Sequence, residues 1–373
     1  METKKAEIKW VFTGIVIFLS ALIMLIFPFA SNGAKIGINT CLTSLIPSLF
    51  PFMILSSFVS LTPLSHYISK LLAPLTTNIF HLSGKYSTPL FFSLIGGYPI
   101  GARILSDMLS RGETSEKSIE RMLCFCVNCG PAFLIGTVGI GIFQSAEVGI
   151  ILLVSQIFSS FIIAALTAPN KIVAKKYYEP PISANIHTAL VESITKSTLD
   201  MLTICGFVVA FMAIISALDG LGIITFFANI LASISFLPFI DGNVAEIFFA
   251  GIIEVTTGIF KASKLTDIGA ISTISFITGF GGISVFCQVA SCFKGYRINY
   301  KPFIISRFVN GFLSLCITLI LLKLFPIEIN VMAYSSPPQA YVNANCLIYT
   351  ICMITMCSML ILSASCNTAK KRN

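Results

Sequence analysis

Charged side chains are scarce in this sequence: Asp, Glu, Lys and Arg make up 11% of its 373 residues, against about 25% in a soluble domain. That scarcity excludes water as the main solvent, and a mean hydropathy of +0.90 agrees. No cleavable leader is expected either. The apolar run from Trp10 to Ala30 is too long and has no small-residue cleavage site, so a first spanning helix is expected there. No nucleophile–base pair, phosphate-binding loop or metal signature occurs, so neither an enzyme nor a cofactor is expected. Cysteine is not lacking, yet most of the twelve fall inside apolar segments, as at Cys205, Cys316 and Cys352. There Cys acts as a small hydrophobe, and no disulfide framework follows. Cys124, Cys126 and Cys129 scatter over different helix faces with no His nearby in sequence, which argues against a metal site.

Apolar segments long enough to cross about 30 Å of hydrocarbon need roughly 20 residues. Clean candidates are 10–30, 146–168, 200–219, 303–325 and 345–364. The segment 36–60 qualifies despite Pro47 and Pro51, and 121–142 and 267–289 qualify with internal breaks. Two other stretches, 88–110 and 244–264, each hold two short apolar halves divided by a Gly- or Thr-rich break. Broken backbone is tolerated at membrane depth only where protein or a wet cavity satisfies it, so both are expected to be re-entrant hairpins. The stretches ahead of them, 63–83 and 221–239, are semi-amphipathic and are expected along the interface.

The formal charge of +8 sits in short basic clusters between apolar runs, a pattern that orients membrane proteins rather than one that binds nucleic acid. With both termini inside and eight crossings, twenty of the 24 Lys and Arg residues fall on the cytoplasmic side. The loop 326–344 has neither residue type, which suits an external position. A multi-pass protein of the cell membrane is expected.

The order of parts recurs. Residues 36–168 hold a helix, an interfacial stretch, a hairpin, a broken helix and a helix, and 200–325 repeat that order. Phe91-Phe92 answers Phe248-Phe249, and Gly101 answers Gly258 at the same offset. In the broken helices Phe125 lies over Phe276 and Gly130 over Gly281. Because the two sets enter from opposite sides, they form inverted repeats, a design of secondary transporters with the site where the breaks meet. The expected divisions are a spanning helix in 1–35, the first repeat in 36–168, and a cytoplasmic linker in 169–199. The second repeat follows in 200–325, and an external loop with a last spanning helix in 326–373.

Candidate site residues follow from the breaks. Glu254 is a carboxylate at membrane depth, where such groups cost roughly 2.5–3.5 kcal/mol and are usually functional; Thr256 and Thr257 adjoin it. Opposite in the repeat, Gly97, Tyr98 and Pro99 form a tip whose backbone groups are free to meet an ion or polar ligand. Asn128, Gly130 and Pro131 break one helix, and Thr278, Gly279 and Gly281 the other. Broken helices offer amides at a positive dipole end, though close packing through small residues reads equally well. Arg103 and Asp107 stand i,i+4 as gating candidates or as a plain helical ion pair. Gln288 is expected near the cytoplasmic interface.

At SLFPFMILS (48–56), GGYPIGAR (96–103) and ETSEKSIERMLCFCVNCGPAFLIGTVGIGIF (113–143), the sequence resembles the YlbJ family of sporulation integral membrane proteins. These are multi-spanning proteins of endospore-forming bacteria that carry a so-called nucleoside-recognition or Gate domain. The resemblance covers roughly 35–325 and implies a role in spore formation, particularly of the cortex, with no established substrate. The expectation is an all-α, multi-spanning, transporter-like protein moving a small solute. The alternative is a non-transporting protein that organises envelope assembly through protein partners. Membrane lipid and an unknown small solute are the expected partners, nucleic acid is not, and homo-oligomer formation is compatible with the sequence.

Overall fold

The computed structural model describes residues 28–168, 185–233, 242–262 and 268–327. Among them all regular structure is helical. The chain runs as α1 (Pro28–Leu61), α2 (Leu64–Pro74), α3 (Ser87–Gly96), α4 (Tyr98–Ser110), α5 (Glu116–Leu123), α6 (Ala132–Ile142) and α7 (Ala146–Leu166). It continues as α8 (Ile186–Gly220), α9 (Ile223–Ala232), α10 (Gly242–Ile253), α11 (Val255–Ala262), α12 (Ile268–Phe280), α13 (Gly282–Cys292) and α14 (Lys301–Leu324). Among the described residues, five helical stretches are long and apolar enough to cross a membrane: Pro28–Leu61, Ala146–Leu166, Ile186–Gly220, Gly269–Cys292 and Lys301–Leu324. The chain is a multi-spanning helical membrane protein.

Local sequence explains several boundaries. A π-helical turn at Cys41–Leu45 widens α1 just before Pro47, whose ring would otherwise strike the preceding turn. Ser115 and Ser145 cap α5 and α7 by accepting from Ser118 N and Val148 N. The region expected as one broken helix over 121–142 is more divided than that: α5 stops at Leu123 and α6 starts only at Ala132. The helix expected over 200–219 begins earlier, at Ile186. The expected span at 10–30 lies outside the described residues except for its last three, which begin α1, and the expected span at 345–364 and the loop beyond residue 327 lie outside them altogether.

Two reversals organise the interior. A Cβ on Gly101 would lie 2.7 Å from Ser93 Cβ and would collide with Cys126 O. In a straight helix residues 93 and 101 would stand about 12 Å apart, so α3 and α4 double back on each other at Gly97. Likewise a Cβ on Gly258 would lie 2.7 Å from Gly251 N, so α11 doubles back on α10 at Glu254. Gly97 has φ 97°, a region that an L side chain enters only with strain.

Around these hairpins, long helices pack through small residues. A Cβ on Gly37 would lie 2.9 Å from Val209 Cα, a Cβ on Gly33 2.9 Å from Ala213 Cα, and Cys41 faces Cys205. These contacts run α1 antiparallel to α8. The pair α7 and α14 is antiparallel too: Thr318 Oγ1 donates to Ser155 Oγ at 2.8 Å, and Ser159 Oγ donates to Asn310 Oδ1 at 2.7 Å. Without a hydrophobic drive between helices in lipid, such close approach and polar contacts hold the bundle.

Gly101→Ala should lower the thermal unfolding midpoint of the detergent-purified protein by an amount equivalent to about 1–3 kcal/mol of overpacking. Gly136→Ala, where a Cβ meets nothing within 4 Å, should cost nothing. Equal midpoints for the two variants would refute the hairpin packing.

Candidate functional site

Glu254 sits at the reversal between α10 and α11 and is 3% exposed. Its Oε1 accepts from Thr256 N at 3.0 Å, and its Oε2 accepts from Thr257 N at 2.7 Å and Thr257 Oγ1 at 3.0 Å. The carboxylate therefore caps the start of its own helix, where the free amides and the positive dipole end favour an anion. No Lys, Arg or His pairs with it among the described residues.

The first hairpin reaches across to the second break. Tyr98 donates its hydroxyl to Thr278 O at 2.7 Å, and Gly281, with φ 92°, lies against its ring. A Cβ on Gly130 would come within 3.1 Å of Gly97 N, so the tip also touches the first break. Behind these contacts is a residue that sequence reasoning missed. Arg307 of α14, counted above among cytoplasmic cations, is fully buried. Its Nη1 donates to Val127 O at 2.6 Å, its Nε to Phe280 O at 3.2 Å, and its Nη2 to Gly279 O. Asn310, one turn on, adds a bond to Gly279 O at 2.9 Å. One guanidinium thus ties together the carbonyls of both breaks. Its fork of five donors suits several acceptors at once.

Two cavities meet at this point. The inner one, about 50 Å³, is lined by Gly97, Tyr98, Pro99, Gly130, Glu254 and Thr256, with Cys129 and Gln288 beside them. The outer vestibule, about 440 Å³, is bounded by α1, α4, α8 and α13. Pro99, Ile204 and Gln288 line both. Gln288, expected near the cytoplasmic interface, is buried and lines both spaces.

Of the sequence candidates, the structure gathers Gly97, Tyr98, Pro99, Gly130, Glu254 and Thr256 on the inner chamber, with Thr257 on the carboxylate. Others stand apart. Asn128 Oδ1 accepts from Ser160 at 2.6 Å, and its Nδ2 donates to Phe125 O at 2.8 Å. Its amide is therefore spent on structure. Thr278 bonds back to Ile274 O at 2.8 Å, Gly279 packs on Gly311, and Pro131 begins α6.

Arg103 and Asp107 line the vestibule and belong to a larger network. Arg103 Nε lies 3.5 Å from Asp107 Oδ1, and its Nη1 donates to Asp200 Oδ1. Lys196 Nζ bonds Asp107 Oδ1 at 2.7 Å. The i,i+4 pattern of Lys196 and Asp200 on α8 matches that of Arg103 and Asp107 on α4. That match was the available signal for the second pair. For Arg307 the only signal was its place three residues before Asn310 in an apolar helix.

Arg307→Met should lower the thermal midpoint well beyond a Phe308→Leu control, since hydrogen bonds to a charged group contribute about 1.5–3 kcal/mol each. Arg307→Lys should restore only part, because one ammonium is too compact to span both breaks. An unchanged midpoint in Arg307→Met would show that the clamp is dispensable.

No protein-family model and no solved structure matches the chain. One curated relative is the sporulation integral membrane protein YlbJ of Bacillus subtilis (strain 168), 26% identical over 335 residues, which is 82% of this chain and 81% of that protein. The resemblance to the YlbJ family of sporulation integral membrane proteins, carried in the sequence by the GGYPIGAR and NCGPAF blocks, therefore extends over most of the chain.

Proposed function

We propose that this chain is a transporter-like membrane protein of the sporulating cell that moves a small solute, coupled to an ion or proton at Glu254. The observation that carries this reading is the pair of adjoining cavities. A vestibule of about 440 Å³ shares Pro99, Ile204 and Gln288 with a chamber where the buried carboxylate of Glu254 faces the tip of the first hairpin. A carboxylate at such a depth is a functional-site hypothesis by default, and substrate sites at broken helices recur in secondary transporters.

The inverted-repeat reading supports it. Its two sets, 36–168 and 200–325, present the same order of helices, and counterparts α1 and α8, like α7 and α14, pack antiparallel. The last helix of each set holds its own break: Ser160 bonds Asn128, and Asn310 bonds Gly279 O. Residues 128 and 279 correspond at the offset that pairs Phe125 with Phe276. Eight crossings and cytoplasmic termini complete the proposed topology. The vestibule then opens toward the cytoplasm, because Lys294 and the Arg103 network line it. Arg103 and Asp107 act there as a gate, tying the first hairpin to α8. The named relative acts in sporulation, and a contribution to the spore cortex fits that setting.

Glu254→Gln should keep the protein folded at a cost of about 1 kcal/mol in helix capping, yet abolish sporulation function or solute flux in liposomes. Thr257→Val weakens the same cap while retaining the charge, and should leave function largely intact. Full function in a well-expressed Glu254→Gln variant would leave the residue a structural cap. Reporter fusions provide an independent check: one at Lys175 should report a cytoplasmic position and one at Ser335 an external position. A cytoplasmic Ser335 would overturn the orientation.

A further inference from the structure

We infer that the connector from α13 to α14, with Lys301 at its end, is a docking surface for anionic phospholipid headgroups. The inference stands apart from the transport reading and needs no solute. Position comes first. The stretches Gly269–Cys292 and Lys301–Leu324 are both long and apolar enough to cross a membrane, so the chain that joins them lies at a membrane face, at headgroup depth. Hydrogen bonds keep it there. Arg297 N donates to Glu116 Oε1 and Asn299 N to Glu120 Oε1, each at 2.9 Å, which pins the connector to α5. Its ends are fixed as well: Ser106 Oγ donates to Cys292 O, and Lys301 N donates to Asn299 Oδ1 at 3.1 Å.

Accessible charge is the second observation. Lys294, Arg297 and Lys301 are all exposed, and the chain from Phe293 to Lys301 contains no Asp or Glu. None of the three forms an ion pair among the described residues. The carboxylates bonded to the connector, Glu116 and Glu120, are half-buried, and each gives an oxygen to a backbone amide rather than to a cation. Lys117, next to Glu116 on α5, is exposed and likewise without an ion pair among the described residues. Arg111 is matched by Glu113. Four exposed cations thus stand against two partly covered carboxylates, so the reachable surplus is positive. Tyr296 is 38% exposed, and an aromatic ring among basic side chains suits the boundary between headgroups and acyl chains. Cations distributed along an exposed connector match a layer of headgroups rather than one dissolved ion.

The test is lipid binding to the full chain in neutral detergent, read by native mass spectrometry during titration with phosphatidylglycerol or phosphatidylcholine. Phosphatidylglycerol should bind more tightly. Arg297→Gln should reduce that preference about fivefold, the equivalent of about 1 kcal/mol for one basic residue near an anionic surface. The triple variant Lys294→Gln, Arg297→Gln, Lys301→Gln should reduce it further, whereas Arg297→Lys keeps the charge and should keep the preference. Lys323→Gln removes an exposed cation from the other end of α14 and should change the preference little. All the substituted side chains are exposed, so every variant should hold the wild-type thermal midpoint. Sodium phosphate at millimolar concentration should not displace the lipid. Equal affinity for the two lipids would overturn the assignment. So would a preference that the triple variant retains in full, or one that Lys323→Gln diminishes as much as Arg297→Gln does. Displacement by inorganic phosphate would overturn it too, by making the ligand a free anion. No flux enters the measurement, so its outcome is independent of whether Glu254→Gln abolishes transport.

Discussion

Backbone interrupted at membrane depth has no water to satisfy it, and each exposed carbonyl or amide costs several kcal/mol in hydrocarbon. Among the described residues the helices meeting at the chamber and at Arg307 have four interruptions: the reversals at Gly97 and Glu254, the gap between α5 and α6, and the kink at Gly281. Several of the buried polar contacts in the interior serve them. Arg307 takes carbonyls from two, Tyr98 bridges the first hairpin to the last, and Glu254 takes amides from its own. A fully buried arginine without a carboxylate partner would otherwise be costly. Here the negative C-terminal end of α12 supplies the compensating field through Gly279 O and Phe280 O.

The charged groups divide into two ends. Asp200 and Asp219 lie on one helix, nineteen residues apart, which is roughly 28 Å at 1.5 Å per residue. Each anchors an ionic cluster: Asp200 binds Arg103, and Asp219 binds Lys261 at 2.8 Å. That separation is close to the thickness of a hydrocarbon core, about 30 Å. Ile204 and Val208, which line the inner chamber, lie between the two clusters on the same helix. Glu254 and the hairpin tips therefore sit away from both charged ends, where water is scarcest and fixed partners matter most.

Helical class, the five described spans and the two reversals were legible because they rest on composition and on Gly or Thr interruptions within apolar runs. The chamber was legible in part: Gly97, Tyr98, Pro99, Gly130 and Glu254 converge because breaks gather where backbone can be shared. Asn128 and Thr278 stood at breaks too, yet their side chains spend their bonds on Ser160 and Ile274. A break's identity thus does not tell which of its polar groups stays free. Arg307 was illegible for a different reason. A single Arg near a helix start counts as an interfacial cation on any orientation rule, and only the carbonyls of two distant segments, around 127 and 279, give it a buried role. The start of α8 at Ile186 was missed because Glu192, Lys196 and Asp200 mask its helical continuity in a hydropathy window.

The single carboxylate of the chamber follows from how the two hairpins solve one problem. Both must reverse the chain and begin a new helix whose first amides have no partner. At the offset that matches Gly101 with Gly258, Gly97 corresponds to Glu254 and Pro99 to Thr256. The first hairpin turns by conformation, with Gly97 at φ 97°, and removes the orphan donor at the second helical position by placing Pro99 there. The second retains that donor on Thr256 and supplies an acceptor instead, the carboxylate of Glu254. One tip is therefore tight and without an ionisable group at its turn, whereas the other carries a carboxyl group already held in place by backbone amides. The carboxylate cannot swing freely toward a solute. It stays fixed to α11, and its position relative to Tyr98 and Gln288 changes only when the second hairpin moves as a unit.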